Sequence, residues 1–251
     1  MLTILFPCFP LAAFGSSVID AFWLSNFAGK VIVIIHFFGS ILAWSVMITK
    51  WKELGRAQRF SARFMAMYRK EPYPISLYLR HQQHENSPFC RIYEGACRSL
   101  AGLVESHGGD PSDLFAGEAG APKRHLRDSE IKALRSRAES IMAEQALVLE
   151  DGMTVLAMAV SAAPTLGLLG TVWGLMEAFG VISTSGQAML SAVAPGVSGA
   201  LLTTVTGLLV ALPSVVVYNM LSDRIRGLCV RMENFLQEFM ADIDRHYGQQ
   251  D

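Results

Sequence analysis

The sequence predicts an all-α integral membrane protein, with three transmembrane helices and long cytoplasmic helical extensions, on three observations. Three long apolar stretches each approach or exceed the roughly 20 helical residues that cross a hydrocarbon core. Only 17% of the 251 residues are charged and 51% are apolar, against about 25% charged in an ordinary soluble domain. The 21 Lys and Arg are also spread very unevenly along the chain.

The first 30 residues form an apolar segment with no Lys or Arg before Lys30. A secretory leader needs positive charge at its start, so an uncleaved outer (periplasmic) segment is expected. Residues 31–49 (VIVIIHFFGSILAWSVMIT) hold no Asp, Glu, Lys or Arg and are flanked by Lys30, Lys50, Trp51 and Lys52. Such Lys and Trp flanks anchor a span at the two interfaces. This is the first transmembrane helix.

Residues 50–152 read as a cytoplasmic helical region. A helical pattern runs to about Tyr68, breaks at Pro72 and Pro74, and resumes before a Gly/Pro-rich linker near 107–123. From Asp128 onward, Ile131, Leu134, Ala138 and Met142 recur at three or four residues, predicting an amphipathic helix that continues towards the second span. That span is assigned to 153–182, a short periplasmic loop to 183–195, and the third span to 196–220. The final segment, 221–251, carries Leu221, Ile225, Leu228, Met232, Phe235, Phe239 and Ile243 at helical steps, an apolar stripe expected to pack against the middle helices.

Orientation follows from the basic residues. Sixteen Lys or Arg lie within 50–152 and four follow the third span, whereas the 183–195 loop has none. The positive-inside rule therefore places the amino terminus and that loop in the periplasm and the carboxyl terminus in the cytoplasm.

The overall charge of −1 gives no basic field for nucleic acid. Cys8, Cys90, Cys97 and Cys229 show neither C-x-x-C spacing nor a nearby His pair, so no metal site is expected. There is no nucleophile-base pair or phosphate loop, so the chain is not expected to be an enzyme, and no cofactor is implied.

In lipid, helices associate largely through close backbone approach at small residues. On the second span Ala159, Ala163 and Gly167 lie four apart, and Gly170 and Gly174 form a GxxxG. The third span has another four-apart row in Gly199, Thr203, Gly207 and Ala211. Two consecutive spans built this way predict a tight helix assembly and a homo-oligomer. The hydroxyls of Thr171, Thr203, Thr204 and Thr206 either bond the preceding turn or line a polar path.

Two ionisable groups lie in or beside the spans. Glu177 is a carboxylate near the outer end of the second span, where it either serves a function or snorkels to the interface. His36 reads as a polar contact or interface side chain, with a proton carrier as the alternative.

Residues 164–179 (PTLGLLGTVWGLMEAF), 193–197 (VAPGV) and the run from Gly207 to Pro213 leading on to Tyr218 and Asn219 resemble the signature regions of the TolQ/ExbB family. The resemblance implies a proton-driven inner-membrane stator of five copies around a pair of single-span TolR/ExbD-type partners, working with a TolA/TonB-type energy transducer. It implies that the second and third spans line a central passage, with Thr171 and Thr204 facing the partner's membrane aspartate. One departure stands out: Gly199 occupies the position of the family's usual glutamate in the third span. Were Thr171 and Thr204 level, Glu177 and Gly199 would lie about 9 and 7.5 Å outward, at one height. Glu177 is thus the candidate substitute for the missing acid. A passive membrane scaffold that anchors such a partner without conducting protons is the alternative function.

Overall fold

The computed structural model describes residues 19, 21–23, 25–79, 87–106, 125–185 and 190–248. The expected linker near 107–123, Cys8 and the centre of the 183–195 loop lie outside these residues. Six helices are described: α1 Phe27–Tyr68, α2 Ser76–Leu79, α3 Pro88–Ser106, α4 Asp128–Glu150, α5 Met153–Ser185 and α6 Leu190–Tyr247. No strand occurs among the described residues beyond an isolated bridge between Leu126 and Gly248. Helices α1, α5 and α6 are long and apolar enough to cross a membrane. At 42, 33 and 58 residues, each exceeds the roughly 20 residues needed, so each extends beyond a hydrocarbon core.

The helix boundaries differ from the expected ones in three places. Helix α4 does not continue into the second span: it closes at Asp151, and Gly152 takes a left-handed conformation (φ 74°) before α5 starts. A residue with a Cβ adopts that conformation poorly, which makes glycine the natural breaker. Helix α5 runs to Ser185 and α6 begins at Leu190, so helix enters both ends of the expected loop. Third span and carboxyl-terminal stripe are one helix, uninterrupted by Pro195 or Pro213.

The chain divides into two compact units. The first takes the described residues up to Thr49 together with Gly152–Asn219. In it α1 buries Ile32, His36, Ala43 and Met47 along one stripe and exposes Ile34, Ile35, Phe37, Phe38, Ile41 and Leu42. Large apolar side chains on the open face of a span suit lipid or a neighbouring subunit. Helices α5 and α6 meet through small residues, Gly174 on Ala200 and Gly196 on Ala178.

The second unit comprises Lys50–Asp151 and Met220–Asp251. Its core is the predicted carboxyl-terminal stripe: Leu221, Leu228, Met232, Phe235, Phe239 and Ile243 are all buried. The partners are intramolecular. Phe235 meets Phe64 and Phe89 edge-on or tilted, and Phe239 meets Tyr93, with centroids 5.4 to 5.7 Å apart. Tyr68 donates to the Asp242 carboxylate at 2.8 Å, and burial, then that bond, pushes its phenol above the ordinary range. The Arg127 amide donates to Glu130 at 2.8 Å, fixing the start of α4 where acidic groups favour the helix dipole.

Candidate functional site

The polar centre of the first unit is a cluster of hydroxyls between α5 and α6. Gly167 makes it possible, because a Cβ there would lie 2.8 Å from the Thr203 carbonyl oxygen and 3.0 Å from Thr204 Cα. With no side chain in the way, the Gly167 carbonyl takes Thr203 Oγ1 at 2.9 Å and Thr204 Oγ1 at 3.1 Å from the facing helix. It also takes Thr171 Oγ1 from its own helix at 3.1 Å. Thr171 reaches the Ala200 carbonyl at 3.2 Å and hydrogen-bonds Thr204 hydroxyl to hydroxyl. By contrast, the hydroxyls of Ser161, Thr165, Thr184 and Ser214 bond carbonyls of the preceding turn in their own helices.

Three hydroxyl hydrogens thus share two carbonyls and one another. A hydroxyl has one hydrogen and two lone pairs, so each can rotate between donating to backbone and engaging something else. Thr203 is fully buried, whereas Thr171 and Thr204 are half-buried and reach the surface of the helix pair. Gly170 packs directly against the Thr203 side chain. Gly207 approaches the Ala163 carbonyl at 2.5 Å for an added Cβ, and Ala211 is buried with Ala163 and Val210.

Glu177 is not brought to this cluster. Its exposed carboxylate accepts from Asn26 Nδ2 at 2.5 Å. Asn26 also caps α1, its Oδ1 accepting the Gly29 amide at 2.8 Å, as an N-cap asparagine does. Gly199 lies beneath the residue just before it: a Cβ at Gly199 would stand 2.8 Å from Ser25 Cα. The antiparallel pairing of Gly174 with Ala200 and of Ala178 with Gly196 sets Glu177 about 3 Å along the axis from Gly199. The start of the first span therefore bridges the two positions. No sequence signal singled out Ser25 or Asn26, whereas Thr203 was legible both as a member of a small-residue row and as one of the hydroxyls within the spans.

His36 makes a further polar contact between spans, with Nε2 3.0 Å from the Ala163 carbonyl oxygen and Nδ1 3.1 Å from Thr206 Oγ1. Among the described residues no three His, Cys, Asp or Glu cluster as a metal site.

Three apolar helices joined by glycine contacts and interhelical hydroxyls define a multi-pass helical membrane protein. Residues 111–234 match the family described as the MotA/TolQ/ExbB proton channel family. The chain is 28% identical over 237 residues to the Tol-Pal system protein TolQ of Haemophilus influenzae, covering 90% of this chain and 93% of that one. It is 34% identical over 155 residues to TolQ of Pseudomonas aeruginosa, covering 62% and 60% of the two chains. With the biopolymer transport protein ExbB of Pseudomonas putida it shares 36% identity over 114 residues, 45% of this chain and 35% of the relative. The chain belongs to the MotA/TolQ/ExbB proton channel family, as a TolQ/ExbB-type subunit.

Proposed function

We propose that this chain is the stator subunit of a proton-driven motor in the bacterial inner membrane, coupling inward proton flow to a TolR/ExbD-type single-span partner. Its output would be envelope maintenance or energised outer-membrane transport, through a TolA/TonB-type transducer. The observation that carries this reading is the half-buried Thr171–Thr204 pair, whose hydroxyls have more acceptors in reach than hydrogens to give. Such hydroxyls can donate to a carboxylate on the partner and accept from it once it is protonated. The coupling is conformational and breaks no covalent bond.

In this reading five copies surround two partner spans, with the amino terminus periplasmic, the 50–152 region and the carboxyl terminus cytoplasmic. Glu177, held by Asn26 beside the Ser25 that covers Gly199, supplies the outer carboxylate that Gly199 lacks. The same covering of Gly199 by a neutral serine favours a second reading, a passive scaffold that anchors the partner without conducting.

Threonine to valine changes at 171 and 204 separate the two. In T171V/T204V the partner is expected to co-purify as before, while proton uptake into vesicles and envelope function fall at least about tenfold. Unchanged uptake and function would replace the motor with the scaffold.

A further inference from the structure

The stator reading leaves one buried ionisable group without a task. His36, only 3% exposed, lies where all three spans meet, and an ionisable residue inside a span is a functional candidate by default. Gly207 makes room for the ring: a Cβ there would lie 3.1 Å from His36 Cε1.

The two ring contacts fix where hydrogens can be. The Ala163 carbonyl can only accept, so Nε2, 3.0 Å away, carries a hydrogen. The other neutral tautomer would set two lone pairs against each other. In the neutral ring Nδ1 then needs a donor, and the Thr206 hydroxyl at 3.1 Å supplies one. That hydroxyl is also 2.9 Å from the Thr203 carbonyl, but it has a single hydrogen. With His36 neutral, the hydrogen goes to Nδ1. With His36 protonated, Nδ1–H donates to Thr206 Oγ1 and the hydroxyl hydrogen turns to the Thr203 carbonyl. Both states are fully paired, and one added proton reverses one hydrogen bond and makes another with the heavy atoms in place.

Among the described residues of the first unit, no charged group lies beside the ring. Apart from His36, the described titratable side chains of the first unit are Lys30 on α1, Glu177 on α5 and Tyr218 on α6. Counted along their helices, they lie about 9 Å from His36, 21 Å from Ala163 and 18 Å from Thr206 respectively. Both ring nitrogens meet oxygen atoms. Thr203, which receives the switched hydrogen bond, also sends its own hydroxyl to the Gly167 carbonyl shared by Thr171 and Thr204.

We propose that His36 is a proton-binding positioning residue, which by gaining or losing a proton at Nδ1 reverses the Thr206 hydrogen bond and retunes the Thr203 turn beside the Thr171–Thr204 pair. The first span is then part of the working unit as well as an anchor. The consequence for proton flow rests on the stator reading; the proton binding and the hydrogen-bond reversal do not.

The test uses the full chain in lipid nanodiscs with its histidines labelled with ¹⁵N and its threonine carbonyls with ¹³C. The His36 signals are identified by their loss in H36Q, or in H36N should the first variant fail to assemble. The Nδ1 signal is followed from about pH 4 to 8, and its change on protonation is expected to share its midpoint with a shift of the Thr203 carbonyl. In T206V the Thr203 shift is expected to vanish while His36 still titrates. A His36 signal constant across that range, or a Thr203 carbonyl indifferent to it, overturns the proposal. With the partner subunit present, H36Q is expected to flatten the pH profile of proton uptake without changing partner recovery; a wild-type profile overturns the positioning role. Uptake unaffected by T171V/T204V refutes the stator reading and leaves the titration standing. A silent His36 beside threonine-sensitive uptake refutes the present inference alone.

Discussion

Replacing Gly207 with alanine tests the packing logic most directly. The new Cβ would lie 2.5 Å from the Ala163 carbonyl oxygen and 3.1 Å from His36 Cε1. The first contact is with backbone, which cannot rotate away, so the helices must part by about 1 Å to restore van der Waals distance. That movement would stretch the His36–Ala163 bond, 3.0 Å long, beyond hydrogen-bonding reach. Overpacking of this kind costs about 1–3 kcal/mol, or roughly a fivefold to 150-fold loss in the folding equilibrium. Gly180 supplies the control: it lies inside the facing span, α5, but nothing lies within 4 Å of its would-be Cβ. Gly180→Ala should therefore gain up to about 1 kcal/mol from helix propensity. The assay is reversible unfolding of the full chain in bicelles, followed by a probe within the first unit. Equal stabilities for G207A and G180A would refute the close three-helix contact.

Two further outcomes follow from the same structure. Asn26→Ala removes the α1 cap and the Glu177 tether together, and is expected to cost about 1–2 kcal/mol and speed hydrogen exchange at the Gly29 amide; unchanged exchange would count against the cap. Burial, with Glu94 next, pushes the Cys90 thiol up to about 12. A raised value means the thiol stays protonated through neutral pH and forms thiolate only as pH climbs, so alkylation at pH 8 should be about a thousandfold slower folded than in denaturant. Rapid labelling of Cys90 in the folded chain would contradict its burial.

Much of the second unit was written in the sequence because its signal is local. Leu228, Met232, Phe235 and Phe239 repeat at helical spacing between charges, and a stripe of that kind must be covered wherever the chain folds. The three spans were legible for the same reason, since length and apolarity alone decide whether a helix suits a hydrocarbon core. What periodicity could not convey was the end of α4, because Gly152 acts through one backbone angle. The unbroken helix through Pro195 and Pro213 was equally hidden, since a proline costs a helix one bond without stating whether the chain turns.

Sequence alone determined that this is a three-span helical membrane protein with small-residue rows at Gly167, Gly170, Gly174 and Gly207, because hydropathy and side-chain size are properties of each residue in place. Tertiary structure alone decided what those rows admit. Gly167 exposes its carbonyl to hydroxyls of another helix, Gly207 admits the His36 ring, and Gly199 lies under Ser25 while Glu177 pairs with Asn26. Each of these joins residues from 36 to more than 170 positions apart. Hydrogen bonds depend on angles and tenths of an ångström between such groups, and no spacing within one helix specifies them.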